Sequence, residues 1–253
     1  MNDILFKYPI KIVEIETYTK CNRKCQYCPN RNHIRPDAFM SKRLYQQILE
    51  QLVGINFEGR ISYHFYNEPL LDSRLLDFIA EARFQIPRCR IVLYSNGDFM
   101  TKEIFFKLID AGIDLAWVTN HGLSKKHCSW RHELPYEDAL KLRYHTNKNP
   151  DIYWTNRGGL IPEIAQLDNA IKTPCTAIAT TLVVTALGDV VLCYEDYNGR
   201  EKLGNLHQNS IEEIWHSERA VYLRKLLLVG NRTCSELCKQ CNNVEMQTLE
   251  QFD

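Results

Sequence analysis

Three cysteines fall within eight residues near the amino terminus, in Cys21-Asn22-Arg23-Lys24-Cys25-Gln26-Tyr27-Cys28, a C-x3-C-x2-C run. Thiolates are soft, strongly binding metal ligands. Three of them on one short loop can hold three corners of a cubane [4Fe-4S] cluster and leave the fourth iron open to a small molecule. Zinc is one alternative, with His33 as the fourth ligand it usually requires, and three loop thiols without a metal are another.

A second group, Cys175, Cys193, Cys234, Cys238 and Cys241, offers five candidates for four positions. Its last three repeat the first spacing, yet no pattern of strands and helices follows to build a second small-molecule site. A terminal C-x2-C with two further cysteines around a hairpin suits a fully ligated site, and spacing alone leaves zinc and an iron–sulfur cluster open. Cys89 and Cys128 stand singly and read as small packed residues. Ten cysteines in 253 residues are too few for a disulfide scaffold, and no export signal accompanies them. Metal-binding or catalytic thiols in a reducing compartment are expected.

The elements that must position these groups can be read from periodicity. Val13 and Ile15 alternate with polar neighbours as in a strand, and the cysteine loop follows at once. Leu44, Ile48, Leu49 and Leu52 form one face of a helix over 41–54. Strands are expected over 60–66, 90–94, 115–119 and 152–155, and helices over 71–84, 101–111 and 136–146. This alternation implies βαβ units and a parallel sheet, in an α/β fold of the partial, open TIM-like barrel type, with its chemistry beyond the carboxyl ends of the strands. After Cys175 the rhythm changes to a β-hairpin around Leu187-Gly188-Asp189, then a helix begun by the capping box Ser210-Ile211-Glu212-Glu213 and running to about Val229. A barrel over 1–168 and a small hairpin-plus-helix domain over 169–253 are therefore expected.

Thirty-one Lys and Arg balance thirty-one Asp and Glu, so no long-range field gathers polyanions. A small-molecule partner is expected, with no nucleic acid. The stretch 177–187 is the most apolar, but at eleven residues with three threonines it is too short to span a membrane. The start of the chain is acidic where a signal peptide has a basic head, which reads as cytoplasmic. No glycine-rich dinucleotide fingerprint is visible.

With Tyr27 in the aromatic position of a C-x3-C-x-aromatic-C loop placed after the first strand, the sequence resembles the radical S-adenosylmethionine (SAM) enzymes. The resemblance implies that Cys21, Cys25 and Cys28 hold a [4Fe-4S] cluster whose open iron takes SAM. One electron then cleaves SAM to a 5′-deoxyadenosyl radical that removes a hydrogen atom from an unactivated carbon. Tyr66-Asn67-Glu68-Pro69 is similar to the family's glycine-glycine-glutamate-proline segment, which grips the methionine ammonium, with Asn67 where glycine is usual. Ser95-Asn96-Gly97 resembles the ribose contact, and His121 is a further candidate for the SAM site. Cys175, Cys193, Cys238 and Cys241 resemble the ligands of the family's auxiliary-cluster twitch domain, which holds a second [4Fe-4S] cluster that passes electrons; Cys234 is then spare.

The resemblance runs over nearly the whole chain to the family's aminocyclitol dehydrogenases of aminoglycoside antibiotic biosynthesis, in 21–30, 60–71, 95–99, 156–159, 204–205, 214–216 and 238–250. It implies oxidation of a secondary alcohol of a 2-deoxy-scyllo-inosamine-like aminocyclitol to the ketone, with electrons from a flavodoxin- or ferredoxin-like donor. Arg157 is placed against the reacting hydroxyl, Tyr66, Tyr94 and Glu195 line the substrate pocket, and Glu195 is placed to pair with the amine. A guanidinium keeps its proton at ordinary pH, so Arg157 suits holding the oxygen better than acting as base. Two rivals remain: an epimerase that returns a hydrogen atom from Cys128 or Cys234, and a non-catalytic metal-binding scaffold.

Overall fold

The computed structural model describes residues 9–32, 35–122, 128–146, 154–164 and 167–244. His33, residues 152–153 of the expected strand over 152–155, and residues 245–250 lie outside them. Among the described residues eight strands form one sheet: β1 (Ile12–Ile15), β2 (Arg60–Ser62), β3 (Arg90–Ser95), β4 (Leu115–Asn120), β5 (Leu142–Thr146), β6 (Thr181–Val184), β7 (Asp189–Val191) and β8 (Lys202–Asn205). Their order is β5-β4-β3-β2-β1-β6-β7-β8; β1 to β6 pair in parallel, and β7 and β8 extend the sheet antiparallel.

Helices α1 (Lys42–Gly54), α2 (Leu75–Gln85) and α3 (Lys102–Asp110) connect the first four strands, as crossovers between parallel strands must. The expected stripe of α1 is buried, and Ser41 Oγ caps it by accepting from Leu44 N. These helices cover one face of the sheet, where Val13, Ile15, Ile61, Ile91, Leu93, Ala116 and Val118 share a core with Ile48 and Leu52 of α1, Phe78 of α2 and Phe105 of α3. Side chains alternate across a strand, so the residues between these point to the other face. There stand Glu14, Arg60, Tyr94, Trp117 and Thr119, which line a cavity instead of a hydrophobic layer. A polar inner face on a parallel sheet is the first structural sign of a binding site, because such sheets otherwise bury apolar residues on both sides.

Two expected helices are corrected. The helix over 136–146 is a single turn, α4 (Tyr136–Ala139), followed by β5. Local periodicity is overridden by the free edge of β4, which pairs with all five residues of β5, while His145 stacks on Trp117 and Asn120 Nδ2 donates to Tyr144 Oη at 3.0 Å. A helical turn, α5 (Ala177–Thr180), precedes β6, and the expected hairpin joins β6 to β7. Both halves of the capping box of α6 (Ile211–Trp215) are present, but this helix stops at His216, and α7 (Glu218–Leu228) begins anew because Ser217 Oγ accepts from Ala220 N. The last helix is α8 (Glu236–Gln240). Among the described residues no helix is long and apolar enough to cross a membrane.

Candidate active site

The cysteine loop leaves the carboxyl end of β1, and the loop after β3 grips it. Asp98 accepts from Arg23 Nε at 2.7 Å, Arg23 Nη2 at 2.6 Å and Asn22 Nδ2 at 2.7 Å. Asn96 Nδ2 donates to Asn22 Oδ1 at 2.8 Å and reaches Cys21 Sγ at 3.7 Å. Gly97, with φ +79°, makes the turn that brings both side chains to bear. Bidentate Arg–carboxylate contacts are geometrically demanding, so this clamp fixes where the first two thiols sit. Asp98→Ala is expected to lower stability by about 2 kcal/mol and to reduce iron retained on reconstitution. A thermal midpoint and an iron content equal to wild type would remove the clamp from the site.

The thiols converge electrostatically. Burial pushes the Cys21 thiol up to about 11, with the charges of Glu68 and Cys28 adding to it. Burial also raises Cys28, against the Asn30 N–H and the Arg157 charge, while Cys25 adds to the rise. Tyr27, inside the loop, stacks on Trp154 with centroids 3.8 Å apart, and its hydroxyl is hydrogen-bonded to His121 Nδ1. Burial, then the Arg23 charge, lowers His121 to about 4, so the imidazole in that bond is neutral.

Glu68 follows β2 and is buried. Ser95 Oγ donates to Oε1 at 2.8 Å, Leu70 N to Oε1 at 3.1 Å, and Asn96 N to Oε2 at 2.7 Å. Burial raises its pKa to about 7 against these bonds. Asn67 Oδ1 accepts from Phe65 N, and its buried Nδ2 has no partner. An unanswered amide donor beside a carboxylate acceptor suits the two charged ends of an amino acid. These residues therefore fit the methionine part of SAM, and three thiols on one loop fit a cluster with one open iron.

Cys175, Cys193, Cys238 and Cys241 are all buried. Burial raises Cys193 well above its ordinary value, and Cys238, Cys241 and Cys175 raise it further, in that order. Four mutually repelling thiols suit a multivalent cationic centre, which stabilises the thiolates. Among the described residues no three His, Cys, Asp or Glu are gathered as one metal ion requires. Cys234 is half-buried beside the same small core.

Arg157 opens three successive residues with positive φ, Arg157 at 51°, Gly158 at 60° and Gly159 at 87°. A non-glycine residue tolerates this only when its surroundings enforce it. Here Asn156 N donates to Asn242 Oδ1 at 2.8 Å, Asn156 Nδ2 to Gln240 O at 2.8 Å, and Arg200 Nη2 to Gly158 O at 2.6 Å. A Cβ on Gly158 would meet Leu237 Cδ1 at 2.2 Å, so only glycine lets the segment approach α8 this closely. The Arg157 guanidinium lies 5.7 Å from the Tyr66 ring centroid, with Nη1 3.4 Å from Glu195 Oε1. Burial opposes its charge, but Glu195, then Tyr66 and Cys28, outweigh burial and raise its pKa, so it stays protonated.

A cavity of 1020 Å³ joins these groups. Cys21, Cys25, Cys28, Tyr27 and His121 line it, as do Tyr66, Asn67, Glu68, Tyr94, Ser95, Asn96 and Arg157. Glu195 does not, contrary to expectation: it is fully buried, takes Thr155 Oγ1 on both oxygens and Asn243 Nδ2 at 2.9 Å on Oε1, and stands as Arg157's partner. Glu14, His64, Trp117 and Trp154 also line the cavity and went unnoticed in the sequence. Only the carboxylate between Val13 and Ile15 signalled any of them.

Residues 15–149 match the family model of the radical SAM superfamily. The chain belongs to the radical SAM superfamily. Residues 175–242 match the SPASM iron–sulfur cluster-binding domain, so this radical SAM chain carries an auxiliary cluster domain as well. It is 39% identical, over 96% of each chain, to the S-adenosyl-L-methionine-dependent 2-deoxy-scyllo-inosamine dehydrogenase of Niallia circulans. Its fold is similar to that of BtrN in complex with AdoMet and 2-DOIA, with a TM-score of 0.89 and 38% identity over 96% of this chain and 97% of that one. The open conformation of BtrN matches over the same shares with a TM-score of 0.77 and 34% identity. The structure of anSMEcpe with bound AdoMet, at 12% identity, TM-score 0.60, and 91% and 85% coverage, shares the fold.

Proposed function

We propose that this chain oxidises a secondary alcohol of an aminocyclitol to the ketone. The observation that carries the reading is the cavity joining the three-thiol loop to Arg157, Tyr66 and Tyr94, in a chain whose 39% identical relative is a 2-deoxy-scyllo-inosamine dehydrogenase. When bound, SAM and its cluster supply the 5′-deoxyadenosyl radical that takes a hydrogen atom from the carbinol carbon.

On this reading Cys21, Cys25 and Cys28 hold that cluster. Asn67 and Glu68 take the methionine end of SAM, Ser95 and Asn96 its ribose, and Tyr27 and His121 close the wall around it. Arg157 donates to the reacting oxygen and stabilises the negative charge that grows as the hydroxyl proton passes to solvent water; being permanently protonated, Arg157 does not take it. Tyr66 and Tyr94 wall the substrate, and Glu195 aims Arg157. Cys175, Cys193, Cys238 and Cys241 hold a second cluster, where the remaining electron leaves. We place the division between the barrel, 1–168, and the auxiliary domain, 169–253, and assign reduction to a flavodoxin- or ferredoxin-like donor. Neither Cys128, packed in the main core with Sγ 3.7 Å from Met100 O, nor Cys234 is among the cavity's lining residues, which disfavours epimerisation by a thiol hydrogen donor.

The test is anaerobic incubation of reconstituted protein with SAM, reductant and a panel of aminocyclitols, read by product mass. Loss of two hydrogens is expected. An unchanged mass with deuterium gained from solvent would establish epimerisation instead, and absence of any product would overturn the reading.

A further inference from the structure

Glu14 lies in β1 between Val13 and Ile15, both in the helix-side core, so its carboxylate faces the cavity from the inner side of the sheet. It is more than nine-tenths buried, at 4% exposure, and its Oε2 has no hydrogen-bond partner. His64 Nδ1 stands 3.8 Å from that oxygen, beyond hydrogen-bonding reach, and is itself buried without a partner.

The groups around Glu14 do not neutralise it. Burial, with the Arg157 and Arg60 charges, drives His64 down to about 3, so the ring is neutral. Arg60 favours the carboxylate, but burial outweighs it and holds Glu14 at about 7. Tyr94 and Tyr194 are near enough to feel its charge and bring none of their own. By contrast, two other buried carboxylates are answered: Glu195 by Thr155, Asn243 and Arg157, and Glu68 by Ser95, Asn96 and Leu70. A buried acceptor left unpaired is costly, and a cationic donor entering from the cavity offsets that cost most effectively.

We propose that Glu14, with His64 beside it, is the subsite for the substrate's ammonium group and sets the preference for an amine over a hydroxyl on the cyclitol. An ammonium carries three N–H donors and no acceptor. Its nitrogen can stand about 2.9 Å from each of two acceptors that are 3.8 Å apart. Glu195, expected from the sequence to take this group, already accepts from Thr155, Asn243 and Arg157 and is not among the cavity's lining residues. The proposal rests on the dehydrogenase reading and adds the residue that recognises the amine.

The test is a cycle between protein and ligand. SAM-loaded, cluster-reconstituted wild type, Glu14→Gln and Glu14→Asp are each titrated calorimetrically with 2-deoxy-scyllo-inosamine and with the analogue bearing hydroxyl in place of the amine. Wild type is expected to prefer the amine. In Glu14→Gln the ratio of the two affinities should fall on the order of ten- to a hundredfold, and Glu14→Asp, which keeps the charge but withdraws it by one methylene, should fall between. Should Glu14→Gln fail to fold, the reduced ratio in Glu14→Asp decides. A wild-type preference that the folded variants leave unchanged overturns the subsite and spares the dehydrogenase reading. Wild type that binds neither cyclitol overturns both.

Discussion

Cys25→Ala is expected to bring 5′-deoxyadenosine formation to background. Two thiolates cannot hold three irons of a cubane, so the site that positions SAM is lost with the sulfur. The loop's backbone is held by other contacts as well: Cys28 N donates to the backbone oxygen of Cys25 at 3.0 Å, and Asp98 holds Arg23 and Asn22 from outside. The metal-free variant should therefore unfold within about 0.5 kcal/mol of wild type, as for a substitution outside the core. Iron per chain should fall from about eight to about four, because the auxiliary ligands are untouched. Quantifying iron, the absorbance near 400 nm and 5′-deoxyadenosine together checks this. Continued SAM cleavage with the first cluster retained would overturn the assignment of Cys25.

Arg157→Lys is expected to cut ketone formation by about 10²–10³-fold while leaving SAM cleavage measurable. Lysine keeps the positive charge and, like arginine, is a non-glycine residue at φ +51°, so the backbone demand is unchanged. What disappears is the planar fork that spans Glu195 Oε1 at 3.4 Å and lies over Tyr66. A lysine ammonium drawn toward Glu195 no longer reaches the substrate oxygen with aligned donors. Cleavage of SAM without matching ketone should raise the ratio of 5′-deoxyadenosine to product. Equal ratios in variant and wild type would place Arg157 outside the reacting centre.

Residues whose partners are close in the chain were legible before the fold was known. The three-cysteine loop, the Glu68 segment and Ser95-Asn96 each lie at or beyond the carboxyl end of a strand, and a parallel sheet brings those ends to the same side. The α1 stripe and the α6 capping box were equally local. The 136–146 segment failed for the opposite reason: its turn and strand are decided by the open edge of β4, which no window of residues contains. The break at Ser217 was missed because a serine hydroxyl reads the same whether it caps a new helix or faces solvent.

Glu195 and Glu14 mark the boundary most clearly. Proximity to Cys193 placed Glu195 near the site, but the bonds it accepts from Thr155, Arg157 and Asn243 join segments some forty residues distant in either direction. Alternation with Val13 and Ile15 set Glu14 on the opposite face of its strand, and only the pairing of β1 between β2 and β6 showed that this face lines a cavity. By itself the sequence determined the position of the cysteine loop after β1, the order of most strands and helices, and the family. The tertiary structure alone decided which polar side chains stay unanswered in the cavity, because satisfaction of a buried charge depends on every segment packed around it and not on its neighbours in the chain.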